Sequence, residues 1–168
     1  NPYLCYSALL MAGLDGIKLE IGRVCIAREH RGNNMMGLLW EGIYRYMQLI
    51  RARYVFGCSS IMTTDRVDIA IAHRYLTDRG YLTSALDVAP RKKYRLTTLH
   101  ADMSALSSPD DMPGRAQRIV PRLLEDYFQF GARVCGEPAL DRAFRCADYF
   151  TILDLHNLNE SYRDERLR

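Results

Sequence analysis

Apolar positions follow two different periods along the chain. From Ile17 to Ala27 the residues are mostly apolar and β-capable, with Gly13 and Gly16 as breakers before them, and a buried strand is expected. Met36, Trp40, Ile43, Met47 and Ile50 then recur at helical spacing. They predict a helix with one apolar face running to about residue 51, capped by Asn33 or Asn34. Arg53–Met62 ("RYVFGCSSIM") reads as a second buried strand. The resulting β-α-β unit implies parallel neighbours joined by a right-handed crossover. Asp65 can cap a helix ending near Asp78, with Gly80 just beyond it.

Residues 83–118 carry a weaker pattern: "YRLTTL" predicts a strand and "SALSSPDDMPG" a polar loop. Pro121 suits the first turn of another helix, on which Leu124, Tyr127 and Phe128 share a face before Gly131 stops it. Arg133–Cys135 and Ala147–Leu155 predict two more strands around a "GEPALD" connection, and residues 156–168 form a charged tail. The fold class that follows is α/β: a mixed sheet with helices on both faces, in one domain spanning residues 1–168.

Composition narrows the function classes. The 168 residues are 48% hydrophobic and 26% charged, ordinary values for a globular domain with a core. No apolar run reaches the ~20 residues of a membrane span, and no basic segment with an apolar core opens the chain. The five cysteines (Cys5, Cys25, Cys58, Cys135, Cys146) are scattered and form no CxxC, the pattern of free thiols in a reducing cytoplasm. Lys18, Lys92 and Lys93 are the only lysines among 23 basic residues, which leaves 20 arginines behind a net charge of +3. Arginine grips phosphates and carboxylates bidentately, so an acidic partner is one reading of this bias and genome composition the other. The basic run "PRKKYR" (Pro90–Arg95) reads either as a dock for an acidic protein or lipid surface, or as a solvated edge. Tyr94 is its sole aromatic, which argues against nucleic acid. Asn1 is not a start Met, and the expectation is a fragment lacking an N-terminal portion, its first strands included.

Glu20 lies in the first apolar strand, where a carboxylate is costly unless paired or useful. It reads either as a structural residue, in an ion pair with Arg23 or facing outward from the strand, or as a desolvated general base that takes a proton from an attacking amine. Arg31-Gly32 ahead of the helix is a candidate phosphate site, because a helix N-terminus offers free N–H groups and a positive dipole end. Cys58-Ser59-Ser60 at a strand end has no neighbouring His to serve as base, so Cys58 reads as a small buried hydrophobe rather than a nucleophile. The four histidines (His30, His73, His100, His156) lack ligand spacing, and no metal site is expected.

Strand, Arg-Gly turn, amphipathic helix and second strand in this order resemble the acyl-donor half of the GNAT acyltransferase fold. The segments "EIGRVCI", "RG…LLW.G..RY", "YVFGCSSI" and "LL.DYF.FGARVCGEPALD..F..ADYF.ILDL" resemble the bacterial L-ornithine Nα-acyltransferases of ornithine-lipid synthesis, from about Leu19 to Tyr162. Members of that family run longer at the N-terminus, in line with a fragment. Acyl-homoserine-lactone synthases share the fold and a similar Glu-x-x-Arg, which Glu20 and Arg23 match.

The resemblance implies transfer of a 3-hydroxy fatty acyl group from acyl carrier protein to the α-amine of ornithine, giving lyso-ornithine lipid. It implies no resident cofactor; the acyl-phosphopantetheine is a substrate. Its arm would lie between Val24–Ala27 and Gly57–Ser60, contacting Val24, Cys25, Ile26, Cys58, Ser59 and Ser60. A strand N–H near Cys25 would meet the developing oxyanion. Glu20 would deprotonate the amine, and Tyr127 would protonate the leaving thiolate unless it is a core aromatic.

Acetyl-CoA enzymes of the fold carry Arg-x-x-Gly-x-Gly/Ala, whereas Arg31, Gly32, Asn33 and Asn34 here lead to Met36, with Asn34 and Met36 at the two small-residue positions. A carrier-protein donor has no adenine nucleotide and demands less of that loop, so acyl carrier protein is the expected donor, drawn to Arg28, Arg31 and Arg91–Lys93. The expected location is the cytoplasm, with peripheral contact to an anionic membrane surface left open. Two other readings stay open: N-acylation of another amine, signal synthesis included, and a non-catalytic remnant.

Overall fold

The computed structural model describes residues 17–22, 26–30, 35–84, 86–106 and 112–158. Its centre is a five-stranded mixed sheet of β1 (Ile17–Glu20), β2 (Ala52–Ile61), β3 (Leu82–Thr83), β4 (Arg133–Asp141) and β5 (Cys146–Asp154), in the order β1-β2-β5-β4-β3. The β1–β2 and β3–β4 pairs are parallel, and β5 runs antiparallel to both of its neighbours. Five α-helices complete the described fold: α1 (Met35–Leu49), α2 (Arg66–Asp78), α3 (Leu99–Ser104), α4 (Met112–Ile119) and α5 (Arg122–Gln129). The architecture is the α/β class expected, and it is consistent with a GNAT-like fold.

The apolar stripe of α1 does what its spacing predicts: Trp40, Ile43, Met47 and Ile50 pack with Val55, Ala132 and Leu153. On α2, Asp65 accepts a hydrogen bond from the Asp68 N–H at 2.9 Å, which satisfies one of the orphan donors of the first turn. Gly80, at φ 69°, follows its end. Helices α2, α4 and α5 share one core with Ile61, Val134 and Tyr149. All five α-helices lie on this side of the sheet. The other side, around Phe56, Cys135 and Phe150, is covered by Leu86, Val88 and Tyr94, so its helical part is the 3₁₀ turn Lys92–Tyr94.

Three expectations are corrected. "YRLTTL" is not a strand: Tyr94 ends the 3₁₀ turn and Leu99 opens α3, and the three-residue spacing of buried Leu96 and Leu99 serves a turn rather than a sheet. The "SALSSPDDMPG" loop is shorter than expected, since α4 begins at Met112. "GEPALD" is not a connection but part of β4. Its register to β5 shifts between Cys135 and Ala139, where Gly136 at φ 67° passes so close to Val88 that a Cβ would lie 2.0 Å from the Val88 carbonyl oxygen.

Candidate active site

Strand β1 stops at Glu20, not at Ala27 as its composition suggested. Its pairing with β2 runs to Glu20–Phe56, and the Ile21 N–H still donates to the Phe56 carbonyl at 2.8 Å. The Ile21 carbonyl then sits over Gly57, only 2.2 Å from where a Cβ would stand. The chain at 21–22 has left strand geometry, while β2 continues to Ile61 against β5. The pairing of the two parallel strands therefore ends at Glu20–Phe56 while β2 runs on, and the glycine in "YVFGCSSI" admits the close pass of the Ile21 carbonyl.

A cavity of about 570 Å³ opens at this parting. Glu20–Gly22 and Gly57–Ser60 line it, together with Trp40 and Ile43 of α1 and Leu124 and Tyr127 of α5. Alternation along β2 divides the lining between the two faces of the sheet. Gly57 and Ser59 share the helix-covered face with Val55, and Phe56, Cys58 and Ser60 take the other. Glu20 and Tyr127 both line the cavity. Glu20 and Cys58 lie on adjacent parallel strands.

The environments differ from expectation in two places. Glu20 is exposed, as the outward-facing reading has it, so the desolvated-carboxylate reading is corrected. Cys58 is likewise exposed rather than a buried hydrophobe. Ser59 is buried and accepts from the Thr151 hydroxyl at 2.8 Å, and the Ser60 hydroxyl donates to Asp148 at 2.6 Å. Ile26 is half-buried outside any strand. Arg23, Val24, Cys25, Arg31, Gly32, Asn33 and Asn34 lie outside the described residues.

Tyr127 is half-buried, and burial with a smaller push from Asp126 raises its hydroxyl above the ordinary tyrosine value. It therefore stays protonated near neutrality. Trp40 meets it edge to face with centroids 5.3 Å apart, and among the described residues the buried indole N–H of Trp40 has no hydrogen-bond partner. Burial pushes the Cys135 thiol up to about 12; burial and then Asp148 do the same to Cys146. Neither is a nucleophile near neutral pH.

The sequence reading missed Asp148, which accepts from Ser60 and from the Cys146 thiol at 3.4 Å. The available signal was a second carboxylate on an apolar strand, in "ADYF". Among the described residues no group of three or more His, Cys, Asp or Glu could hold a metal ion, and no helix is long and apolar enough to cross a membrane.

No family model matches the chain, and no solved structure matches it. Curated relatives do. The L-ornithine Nα-acyltransferase of Rhizobium meliloti (strain 1021) is 26% identical over 144 residues, covering 86% of this chain and 47% of its own length. The protein of that name from Brucella abortus (strain 2308) is 26% identical, covering 86% and 50%. The one from Rhodobacter capsulatus is 25% identical, covering 87% and 54%. The chain thus spans about half the length of the curated relatives it matches, and over most of its own length it is similar to L-ornithine Nα-acyltransferases.

Proposed function

We propose that the protein is an N-acyltransferase that moves a 3-hydroxy fatty acyl group from acyl carrier protein to the α-amine of ornithine, giving lyso-ornithine lipid in the cytoplasm. The observation that carries this reading is the parting of β1 from β2 beside Gly57, which opens a largely apolar cavity with a carboxylate in its lining. The relatives' names supply the amine and the reaction class.

The acyl-pantetheine arm enters between the parted strands and lies along Gly57–Ser60. Glu20 takes a proton from the ornithine ammonium, directly or through a water. The freed amine attacks the thioester carbon; the new C–N bond forms and the carbonyl oxygen becomes the tetrahedral intermediate's oxyanion, for which a backbone N–H lining the cavity is the donor. The C–S bond then breaks and the thiolate leaves. Tyr127, with its raised pKa, is a weaker acid than a thiol, so it steadies the departing sulfur by hydrogen bonding while the amine supplies the proton. Cys58 takes no part, because direct attack needs no acyl-enzyme.

Steady-state kinetics with ornithine and two donors test the reading. Acyl carrier protein should give a higher kcat/KM than acyl-CoA, and its advantage should fall as salt rises, because arginines draw the acidic carrier. Equal or better use of acyl-CoA, insensitive to salt, rejects the donor assignment. Lack of transfer from either donor rejects the reaction.

A further inference from the structure

The hairpin joining β4 to β5 carries Arg142-Ala143-Phe144-Arg145 at its tip. Its shape is fixed from inside. The buried Asp141 carboxylate accepts from the Ala143 N–H at 2.9 Å and the Phe144 N–H at 3.1 Å, and Arg145 closes the turn at φ 55°. The ring held out by this turn, Phe144, is 74% exposed. Both flanking arginines are exposed, and neither forms an ion pair among the described residues. Across from the hairpin, at the end of β2, Met62 is 73% exposed. Phe144 and Met62 both line the cavity, so two bare apolar side chains mark its opening.

We propose that this hairpin tip seats the cavity mouth on an anionic lipid surface. A protruding ring between two guanidiniums matches the layers of a bilayer, with phosphates outermost and hydrocarbon beneath. A folded acidic protein would satisfy the arginines but would need a separate pocket for each protruding side chain, whereas a bilayer accepts them anywhere along its surface. The use of this contact rests on the acyl-transfer reading. An amino acid joined to a fatty chain has to leave an apolar cavity, and an opening pressed against lipid lets the chain pass without crossing water. One aromatic and two charges give weak, reversible attachment.

Vesicle sedimentation of the chain, with no acyl donor or amine present, tests the contact independently of the chemistry. The chain should bind phosphatidylcholine vesicles that contain phosphatidylglycerol, leave them as salt is raised, and bind pure phosphatidylcholine poorly. Phe144→Ser should lower the partition coefficient roughly tenfold. Arg142→Ser with Arg145→Ser should lower it roughly thirtyfold, at about 1 kcal/mol per charge near such a surface. Phe144→Trp should raise it and shift its fluorescence to the blue on binding, a gain that misfolding would not produce. Partition that is absent, or equal in all variants, overturns the proposal. So does binding to an acidic carrier protein that Phe144→Ser abolishes while vesicles are ignored. A chain that binds vesicles but transfers no acyl group fails the reaction reading alone.

Discussion

Glu20 and Tyr127 reach one cavity from different elements, and the proposed reaction gives them different duties. Glu20 is an exposed carboxylate that lines the cavity, and the proposed reaction makes it the proton acceptor. Glu20→Gln keeps size and hydrogen bonding and removes only the proton acceptor. Acyl transfer to ornithine should fall roughly 10²–10⁴-fold, with thermal stability unchanged because the site is exposed. Tyr127→Phe should cost less, roughly tenfold in kcat, because a hydrogen bond rather than a proton is lost. Equal losses in the two variants would show that Tyr127 moves the proton itself. A fully active Gln variant would return Glu20 to a surface role.

The elements differ in how far the chain announced them. Helices α1 and α2 were legible, since their apolar spacing and the Asp65 cap are local signals that packing then used. The parallel pairing of β1 with β2 followed from the helix between them. The early end of β1 was not legible: Ile21 is as β-capable as Leu19, and the pairing ends where the Ile21 carbonyl passes close over Gly57, thirty-six residues away in sequence. The same holds for β4, where Gly136 and Pro138 look like turn residues and instead form a bulge against Val88. Glu20 stood out as a carboxylate in an apolar run and Tyr127 entered through the resemblance, yet the exposure of Glu20 was not legible in either. The parting itself is testable. Gly57→Ala places a Cβ against backbone, not against a side chain that can swing aside. It should destabilise the chain by roughly 1–3 kcal/mol and narrow the cleft, raising the donor KM more than it lowers kcat. A variant with unchanged urea midpoint and donor KM would show that the crossing is not tight.

At the scale of the whole molecule, one buried polar pair makes stability depend on pH. His73 of α2 is packed onto the sheet, its ring stacked on Tyr149 at 5.9 Å and its Nδ1 3.3 Å from the Tyr149 hydroxyl. Burial lowers its pKa to about 4 from the ordinary 6.5; Glu137 opposes the shift and His100 adds slightly to it. The folded chain therefore holds this imidazole neutral where an unfolded chain would protonate it. Between pH 6.5 and 4 the unfolded state binds the extra proton, so stability is complete above the unfolded value and declines as the pH falls through this window. At pH 5 the loss should be about 2 kcal/mol relative to pH 7.5. The salt-bridged carboxylates act in the same direction but lower down. Asp102, held down by its Arg66 hydrogen bonds, and Asp154, which burial pushes up but Arg53 and the His156 N–H together hold down, both lie below the ordinary aspartate value. The histidine window is thus separable from theirs. Urea titrations at pH 7.5 and pH 5 should show the drop in the parent chain, and His73→Gln, which cannot take up the proton, should remove it. A Gln variant with the parent's pH dependence would assign the effect to other groups.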